Sequence, residues 1–308
     1  KFFKLSLSKY FFVIGFILNI NVFGQKSLIN FLETTENSKI GALGGNNITS
    51  QKRNNYFLSN PAFSYQNKKI ISINYLNYIS DINSSSILFT DSSSSFGNYG
   101  VGVKYFSHGK FKYYDQSGIY NGDFYPREIL LSLSKSFRIN KFIIGSNINY
   151  FYSKLFEEKI SGILVDIGSI FTPFEYKEIS FGLVIKNFGL SFFNDEMIPF
   201  NINIGNTFKP KYMPLKFSFT YRYYVKSIEN NNITVGVEGI FSKFLSIQFG
   251  YNHLLNNNMK LPNSTKINGI SYGIELLLSR FMINYSRVMI NSISSTNAIS
   301  LSINFKKF

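Results

Sequence analysis

Residues 215–224 read LKFSFTYRYY, in which every second residue is Leu, Phe or Tyr and most residues between are polar. Alternation with a period of two predicts a β-strand that has one apolar face and one polar or small face. The same pattern recurs at 99–105 (YGVGVKY), 270–278 (ISYGIELLL) and 299–305 (ISLSINF). Because no amphipathic helix of useful length interrupts these runs, the chain after residue 68 is predicted to be all-β.

About fourteen strands of this kind are predicted. Their predicted spans are 70–79, 86–90, 97–106, 127–137, 142–152, 161–171, 179–188, 200–208, 215–224, 233–240, 244–251, 269–278, 280–285 and 298–305. Most of the spans approach the roughly nine to eleven residues that a tilted strand needs to cross a bilayer.

The connections between these strands alternate in length. The short connections are 138–141, 209–214, 241–243 and 279–280, and the mostly longer ones are 107–126, 189–199, 252–268 and 286–297. Outer-membrane barrels have short periplasmic turns, longer external loops and an even number of strands, whereas a soluble sandwich has no reason to sort its loops. We therefore predict that residues 69–308 form a transmembrane antiparallel β-barrel in the outer membrane of a Gram-negative bacterium. A soluble periplasmic β-protein is the less favoured alternative.

The phase of the alternation indicates which side chains face the lumen. If the aromatic and aliphatic residues face lipid, the lumen receives polar and charged ones, among them Lys104, Asp166, Arg222, Glu238 and Glu275. These residues could line a conducting lumen, or they could form internal ion pairs that hold a plugged barrel together. We favour the second interpretation.

The composition limits the classes of function. Aromatic residues make up 18% of the chain and charged residues only 16%, below the roughly 25% that is usual for soluble domains. The net charge is +15 and cysteine is absent, but the lysines are scattered and form no basic helix or zinc module, so we expect no nucleic-acid partner. No nucleophile elbow, metal-binding helix or phosphate loop is present, so we expect neither an enzyme nor a cofactor. His108 and His253 lie in predicted loops and are interpreted as solvated.

The first segment has the order of a secretory signal peptide. Lysines come first, an apolar stretch follows at 10–23, and the small residue Gly24 ends the segment at 1–24. A membrane anchor is less favoured because the apolar stretch is short and contains two asparagines.

Residues 25–68 contain two short motifs. The residues of these motifs are Ala42, Leu43, Gly44, Gly45, Asn60, Pro61 and Ala62. A phosphate-binding loop would need a preceding strand and a following helix, and neither is indicated here. Glycine permits close approach of the backbone and proline fixes a bend. We therefore predict that residues 25–68 form a plug inside the lumen, with a disordered periplasmic lead as the alternative.

The chain resembles the FadL-like barrels of Bacteroidetes that include PorV and PorQ. The resemblance rests on the order of three features, Ala-Leu-Gly-Gly at 42–45, Asn-Pro-Ala at 60–62 and then a barrel. The chain is most similar to the PorQ-like members, for example at 73–89 (INYLNYISDINSSSILF), 100–111 (GVGVKYFSHGKF) and 183–189 (LVIKNFG). The resemblance implies a non-enzymatic component of the type IX secretion system. Such a barrel would anchor a PorZ-like surface subunit and other components of the attachment complex.

The long loops 107–126 and 252–268 are the predicted partner contacts, because aromatic and charged side chains suit interfaces. The residues concerned are Phe111, Tyr113, Tyr114, Tyr120, Tyr125, His253 and Lys260. The alternative function is that of a FadL-like transporter of a hydrophobic small molecule. The predicted inward positions are mainly Ser, Asn, Gly and charged residues, which counts against an apolar pocket.

Overall fold

The structure is a computed structural model. It describes residues 30–50, 55–93, 96–156, 158–173, 179–192, 198–225, 230–258, 268–291 and 293–305. The predicted signal peptide at 1–24 and the loop residue Lys260 lie outside the described residues. No helix among the described residues is long and apolar enough to cross a bilayer.

Fourteen strands close into one antiparallel barrel, and two more form a separate hairpin. The strands are β1 (Lys69–Asn77), β2 (Asn83–Ser93), β3 (Gly97–Ser107), β4 (Phe111–Tyr114), β5 (Tyr120–Phe124), β6 (Arg127–Ile139), β7 (Phe142–Leu155), β8 (Glu158–Phe171), β9 (Ile179–Ser191), β10 (Asn201–Phe208), β11 (Leu215–Tyr224), β12 (Asn232–Ile240), β13 (Leu245–Asn252), β14 (Ile270–Leu278), β15 (Phe281–Met289) and β16 (Ser295–Phe305). Each barrel strand pairs with its neighbours along the chain, β3 pairs with β6, and β16 closes the barrel onto β1. The predicted fourteen-stranded antiparallel barrel is confirmed.

The β4–β5 hairpin was not predicted, because its position was read as part of the loop 107–126. The side chains of both short strands are exposed or half-buried on both faces. A strand with no buried face has no apolar alternation, so periodicity gave no signal there.

The two faces of the barrel wall have opposite character. In β14, Ile270, Tyr272 and Ile274 are exposed, whereas Ser271 and Glu275 are buried. The same inversion, with polar residues buried and large apolar residues exposed, occurs on all sides of the barrel. A continuous exposed apolar surface around closed strands is the arrangement that lipid, and not water, stabilises.

The barrel has two distinguishable ends. Lys69 at the start of β1 pairs with Phe305 at the end of β16, and antiparallel pairing places the β6–β7, β10–β11, β12–β13 and β14–β15 turns at the same end. We call this the turn end. The opposite end, which carries the β4–β5 hairpin, is the loop end.

The remaining described elements are short helices. Two α-helices, α1 (Ser38–Ala42) and α2 (His253–Asn258), accompany 3-10 helices at Asn30–Leu32 and Pro61–Ser64. We call residues 30–50 and 55–68 the N-terminal segment. Its Phe31, Phe57 and Phe63 belong to the same buried apolar cluster as Phe151 and Leu164 of the wall.

Candidate functional site

The N-terminal segment contacts the buried face of the wall on two different arcs of the barrel. Helix α1 packs against β13, β14, β15 and β16, whereas the 3-10 helix at Pro61–Ser64 packs against β3, β6, β7 and β8. The segment thus reaches across the interior, and its contacts with the inward side chains are the candidate site.

The Ala-Leu-Gly-Gly motif lies at the end of α1, where the sequence indicated no helix. The side chain of Asn37 caps the helix by accepting a hydrogen bond from the Ile40 N–H at 3.2 Å. Gly44 and Gly45 have φ values of +93° and +83°, and the Gly45 N–H donates to the Ile40 carbonyl at 2.9 Å. A cap at one end and left-handed glycines at the other therefore allow a helix of only five residues.

The motif rests on a pair of wall glycines. Gly236 and Gly250 lie opposite each other in β12 and β13, and a Cβ atom on Gly250 would overlap the backbone nitrogen of Gly44. Beside this contact the Ser271 hydroxyl accepts from the Gly44 N–H at 3.1 Å and donates to the Ala42 carbonyl at 2.9 Å. The glycines of the motif and of the wall together allow backbone to approach backbone.

The Asn-Pro-Ala motif is seated in the same way. Asn60 caps the 3-10 helix by accepting from the Ala62 N–H at 3.0 Å. Gly145 and Gly168 form a cross-strand pair beneath it, and a Cβ on Gly145 would lie 2.5 Å from the carbonyl carbon of Pro61. All seven predicted motif residues contact or approach the inward face, and all except the half-buried Gly45 are buried.

A third pair of wall glycines packs against residues 48 and 49, which lie between the two motifs. Gly182 and Gly205 are paired in β9 and β10, and added Cβ atoms would meet Thr49 at 2.8 Å and Ile48 at 3.0 Å. These wall glycines were not predicted from the sequence. Their position at inward phases of the alternation is the signal that could have revealed them.

The first of three charged clusters joins α1 to the wall. Lys39 Nζ lies 3.0 Å from Glu238 Oε1 and 2.8 Å from Glu275 Oε2. Lys216 Nζ lies 2.7 Å from the other Glu238 oxygen. The sequence placed Glu238 and Glu275 in the lumen but did not identify Lys39, whose side chain is only 2% exposed.

The second cluster surrounds Glu36. Lys104 Nζ lies 2.8 Å from Glu36 Oε1 and donates to the Phe31 carbonyl at 2.6 Å. The hydroxyls of Tyr56 and Ser84 also donate to the Glu36 carboxylate. Each oxygen of this fully buried carboxylate therefore has a partner, as a buried charge requires.

The third cluster surrounds Glu33. Arg222 Nη1 lies 2.6 Å from Glu33 Oε2, the Tyr224 hydroxyl donates to the same oxygen at 2.9 Å, and Asn187 and Asn201 donate to Oε1 at 2.7 and 2.9 Å. Burial by itself would raise the pKa of Glu33, but the positive charge of Arg222 and these hydrogen bonds outweigh it and lower that pKa below its ordinary value.

Asp166 belongs to the wall beside this cluster. Its carboxylate accepts from the Asn149 side chain at 2.7 Å and from the Asn187 backbone N–H at 2.8 Å. The pairing of β8 with β9 shifts between Val165 and Ile167, and Asn187 has a φ of +59°. Asp166 thus stabilises a β-bulge by accepting the N–H that the bulge withdraws from the ladder.

A cavity of about 30 Å³ lies between the N-terminal segment and the wall. Its lining combines five charged residues, Glu33, Lys104, Asp166, Lys186 and Arg222, with apolar side chains such as those of Leu32, Ile40, Leu58 and Leu130. Such a volume holds about two water molecules. This cavity is too small for a hydrophobic ligand.

Most of the predicted partner residues meet at the loop end. Phe111 stacks on Phe124 with ring centroids 5.4 Å apart, and Tyr113 lies 5.0 Å from Phe156. Tyr114 and Tyr120 are in edge contact at 5.8 Å.

The other predicted partner residues are dispersed. Tyr125 is 61% exposed at the base of the hairpin, and His253 begins α2, where its ring contacts the Asn257 amide at 2.9 Å. His108, which was interpreted as solvated, lies in a loop with its side chain 29% exposed, and its Nε2 lies 3.0 Å from the buried Glu128 carboxylate.

No protein-family model and no curated protein sequence matches the chain. Solved structures do match it. The toluene transporter TbuX of Ralstonia pickettii has a TM-score of 0.56 at 12% identity, covering 89% of this chain and 99% of that one. A TodX monoaromatic hydrocarbon channel variant lacking S2 has a TM-score of 0.60 at 12% identity, covering 89% and 100%. The monoaromatic hydrocarbon channel CymD has a TM-score of 0.57 at 12% identity, covering 90% and 99%. The chain shares the barrel fold of these proteins.

Proposed function

We propose that the chain is a non-enzymatic barrel of the outer membrane. The exposed apolar outer face and the buried polar inner face support this location. The fold, which is shared with transporters and channels over nearly the whole chain, supports it as well.

Within this barrel, the N-terminal segment acts as a plug. Support comes from the three charged clusters around Lys39, Glu36 and Glu33, which tie the segment to different strands. A conducting path through the interior would require these buried ion pairs to separate, and separating a buried pair is costly.

The function that this geometry favours is anchoring. The barrel would hold a surface subunit, a PorZ-like component of the type IX secretion system, at its loop end. The observation that carries this proposal is a lumen occupied by ion-paired protein that leaves a cavity of only about 30 Å³, combined with an exposed aromatic hairpin at one end. The identity of the partner rests on the sequence resemblance.

The test is affinity purification from the native membrane with and without the hairpin. The His108 N–H donates to the Pro126 carbonyl at 3.1 Å and closes the base of the hairpin, so a glycine-serine turn can replace residues 110–124 without disturbing the pairing of β3 with β6. We expect the surface partner to be lost from the barrel. The control is Tyr212→Ser, which removes an 89% exposed aromatic residue at the turn end and should leave the partner bound. Full retention of the partner by the hairpin deletion would contradict anchoring through this loop.

A second candidate function is transport of a small hydrophobic molecule. The structural neighbours favour it over anchoring, since they are a toluene transporter and monoaromatic hydrocarbon channels. It would require the N-terminal segment to move. Loss of uptake of a monoaromatic hydrocarbon on deletion of the barrel, with surface proteins unchanged, would establish transport. The opposite pattern would establish anchoring.

A further inference from the structure

The turns at the turn end share a local pattern. Four of these turns are described completely, those of β6–β7, β10–β11, β12–β13 and β14–β15. Each contains a lysine or arginine next to a phenylalanine in the chain, as Lys141-Phe142, Phe208-Lys209, Lys243-Phe244 and Arg280-Phe281. Phe142, Phe208 and Phe281 lie on the outer face and are 43% to 47% exposed, and Phe244 lies within its turn and is 62% exposed. A cation therefore lies at the edge of the lipid-facing surface in every one of these turns.

The two ends of the barrel differ in charge. Counted are the described charged residues that lie in connections or within four residues of a strand end, without the buried ones and without the lumenal Lys216 and Arg222, which pair with Glu238 and Glu33. The turn end has nine cations and one acid, a net charge of 9 − 1 = +8, from Lys68, Lys69, Lys135, Arg138, Lys141, Lys209, Lys211, Lys243, Arg280 and Asp91. The loop end has six cations and four acids, a net charge of 6 − 4 = +2, from Lys110, Lys112, Arg127, Lys154, Lys159, Arg287, Asp81, Asp115, Asp123 and Glu158. A lysine-rich composition alone would charge both ends alike.

Two of the turn-end cations lie over aromatic rings at the same end of the barrel. Lys69 Nζ is 5.2 Å from the centroid of the Phe89 ring, and Lys135 Nζ is 5.9 Å from that of Phe96. This geometry is a cation–π contact that holds each ammonium beside apolar surface while its stem covers that surface. The cations are thereby held where the hydrocarbon region meets the headgroups.

The loop end is built differently. Five of its outward aromatic residues within three residues of the strand ends are tyrosines, namely Tyr75, Tyr105, Tyr223, Tyr251 and Tyr272, and the exposed Phe188 lies there as well. At this end Lys110 is paired with Asp123 at 2.6 Å. Aromatic residues thus line both boundaries of the apolar band, and the larger excess of cations lies at the turn end, where it forms a cationic rim.

We propose that this cationic rim binds the phosphodiester headgroups of anionic phospholipids in the leaflet at the turn end. The inference rests on the proposed membrane-spanning function. An acidic protein would also offer negative charge, but the adjacent phenylalanines place the cations at headgroup depth and not out in the aqueous compartment. Bound headgroups would set the depth and the orientation of the barrel in the bilayer.

The test compares two charge-matched variants. One neutralises the turn cations with K141Q, K209Q, K243Q and R280Q, and the other neutralises loop-end cations with K112Q, R127Q, K154Q and K159Q. Each protein is folded into vesicles of phosphatidylcholine alone or with one third phosphatidylglycerol, and unfolding is followed by denaturant titration. We expect phosphatidylglycerol to favour the folded parent by roughly fivefold per rim cation. The turn variant removes four of the nine rim cations and should lose roughly 600-fold of this gain, whereas the loop-end variant should retain it and 0.5 M salt should suppress it.

The possible outcomes test lipid binding by the cationic rim separately from the membrane-spanning function of the barrel. A parent that fails to insert into either kind of vesicle overturns both the membrane-spanning function and the rim. A parent that inserts but shows no preference for phosphatidylglycerol overturns only the proposal that the rim binds anionic lipid. If both variants lose the preference for phosphatidylglycerol equally, the preference reflects net charge alone, and the proposal that the rim binds anionic lipid is also overturned. Retention of the preference by the turn variant would overturn lipid binding and leave an acidic protein surface as the partner of this rim.

Discussion

Replacing Lys39 by methionine removes the ammonium that bridges α1 to two wall carboxylates. The substitution keeps the length and most of the volume of the side chain, so it changes charge far more than packing. Glu238 retains Lys216 at 2.7 Å, whereas Glu275, which is 1% exposed, loses its contact with the Lys39 ammonium at 2.8 Å. The variant therefore leaves buried negative charge that the wild-type barrel compensates.

The magnitude follows from the two short contacts. At 3.0 and 2.8 Å, each pair gains about 6 kcal/mol at an effective dielectric constant of about 20, and desolvation of the three groups cancels much of that gain. Removing one partner of a buried pair costs about 3–5 kcal/mol because the other charge stays buried. We expect a loss of this size, which corresponds to a change of roughly 10²- to 5 × 10³-fold in the equilibrium between the seated and the released segment.

The assay has two readouts. Denaturant titration of the folded barrel measures the free energy of unfolding, and limited proteolysis measures release of the N-terminal segment while the barrel stays folded. Lys110→Met is the matched control, because it breaks an ion pair with Asp123 in which the lysine side chain is 52% exposed. Such exposed pairs contribute about 0–1 kcal/mol.

A double variant tests the reasoning most directly. Adding Glu275→Gln to Lys39→Met removes the uncompensated charge and should recover a large part of the lost stability. If Lys39→Met costs no more than Lys110→Met, or if Glu275→Gln makes it worse, the buried pair does not hold the segment and our account of the site is wrong.

Three further predictions concern the same segment. Gly145→Ala should destabilise the barrel by about 1–3 kcal/mol in denaturant titration, because the new methyl group meets the backbone of Pro61, whereas Gly239→Ala, whose closest contact is a flexible ring edge at 3.3 Å, should be nearly neutral. Phe57→Ala should cost about 3–5 kcal/mol in the same titration, since the ring is fully buried against the wall, and a smaller loss would mean that the segment is not packed as described. Because the pKa of Glu33 is lowered in the folded barrel, its contribution to stability is full above its ordinary value of 4.5 and disappears as the pH falls through the folded pKa. Proteolysis should show acid release of the segment in the parent and a flatter pH profile in Glu33→Gln, and identical profiles would contradict this assignment.

The sequence was sufficient to predict the barrel wall. All fourteen predicted strand spans overlap a barrel strand, because lipid on one side and a filled lumen on the other impose the same alternation on every strand. The lumenal phase was readable for the same reason, and Lys104, Asp166, Glu238 and Glu275 lie buried on the inner face. The hairpin at 111–124 was missed, since exposure on both faces leaves no period to detect.

The sequence could not show which inward groups meet. Lys39 lies 199 residues from Glu238 and 236 residues from Glu275 along the chain, and no local pattern connects groups at such separations. The two N-terminal motifs were recognisable as bends and close approaches, but the glycine pairs that receive them belong to different hairpins. Periodicity was therefore enough to predict the wall of this protein, because each strand has one face toward lipid and one face toward the filled lumen. The contacts of the N-terminal segment with the wall glycines and its ion pairs with the wall form only when the barrel closes. They join residues that are far apart in the sequence, so only the tertiary structure decides them.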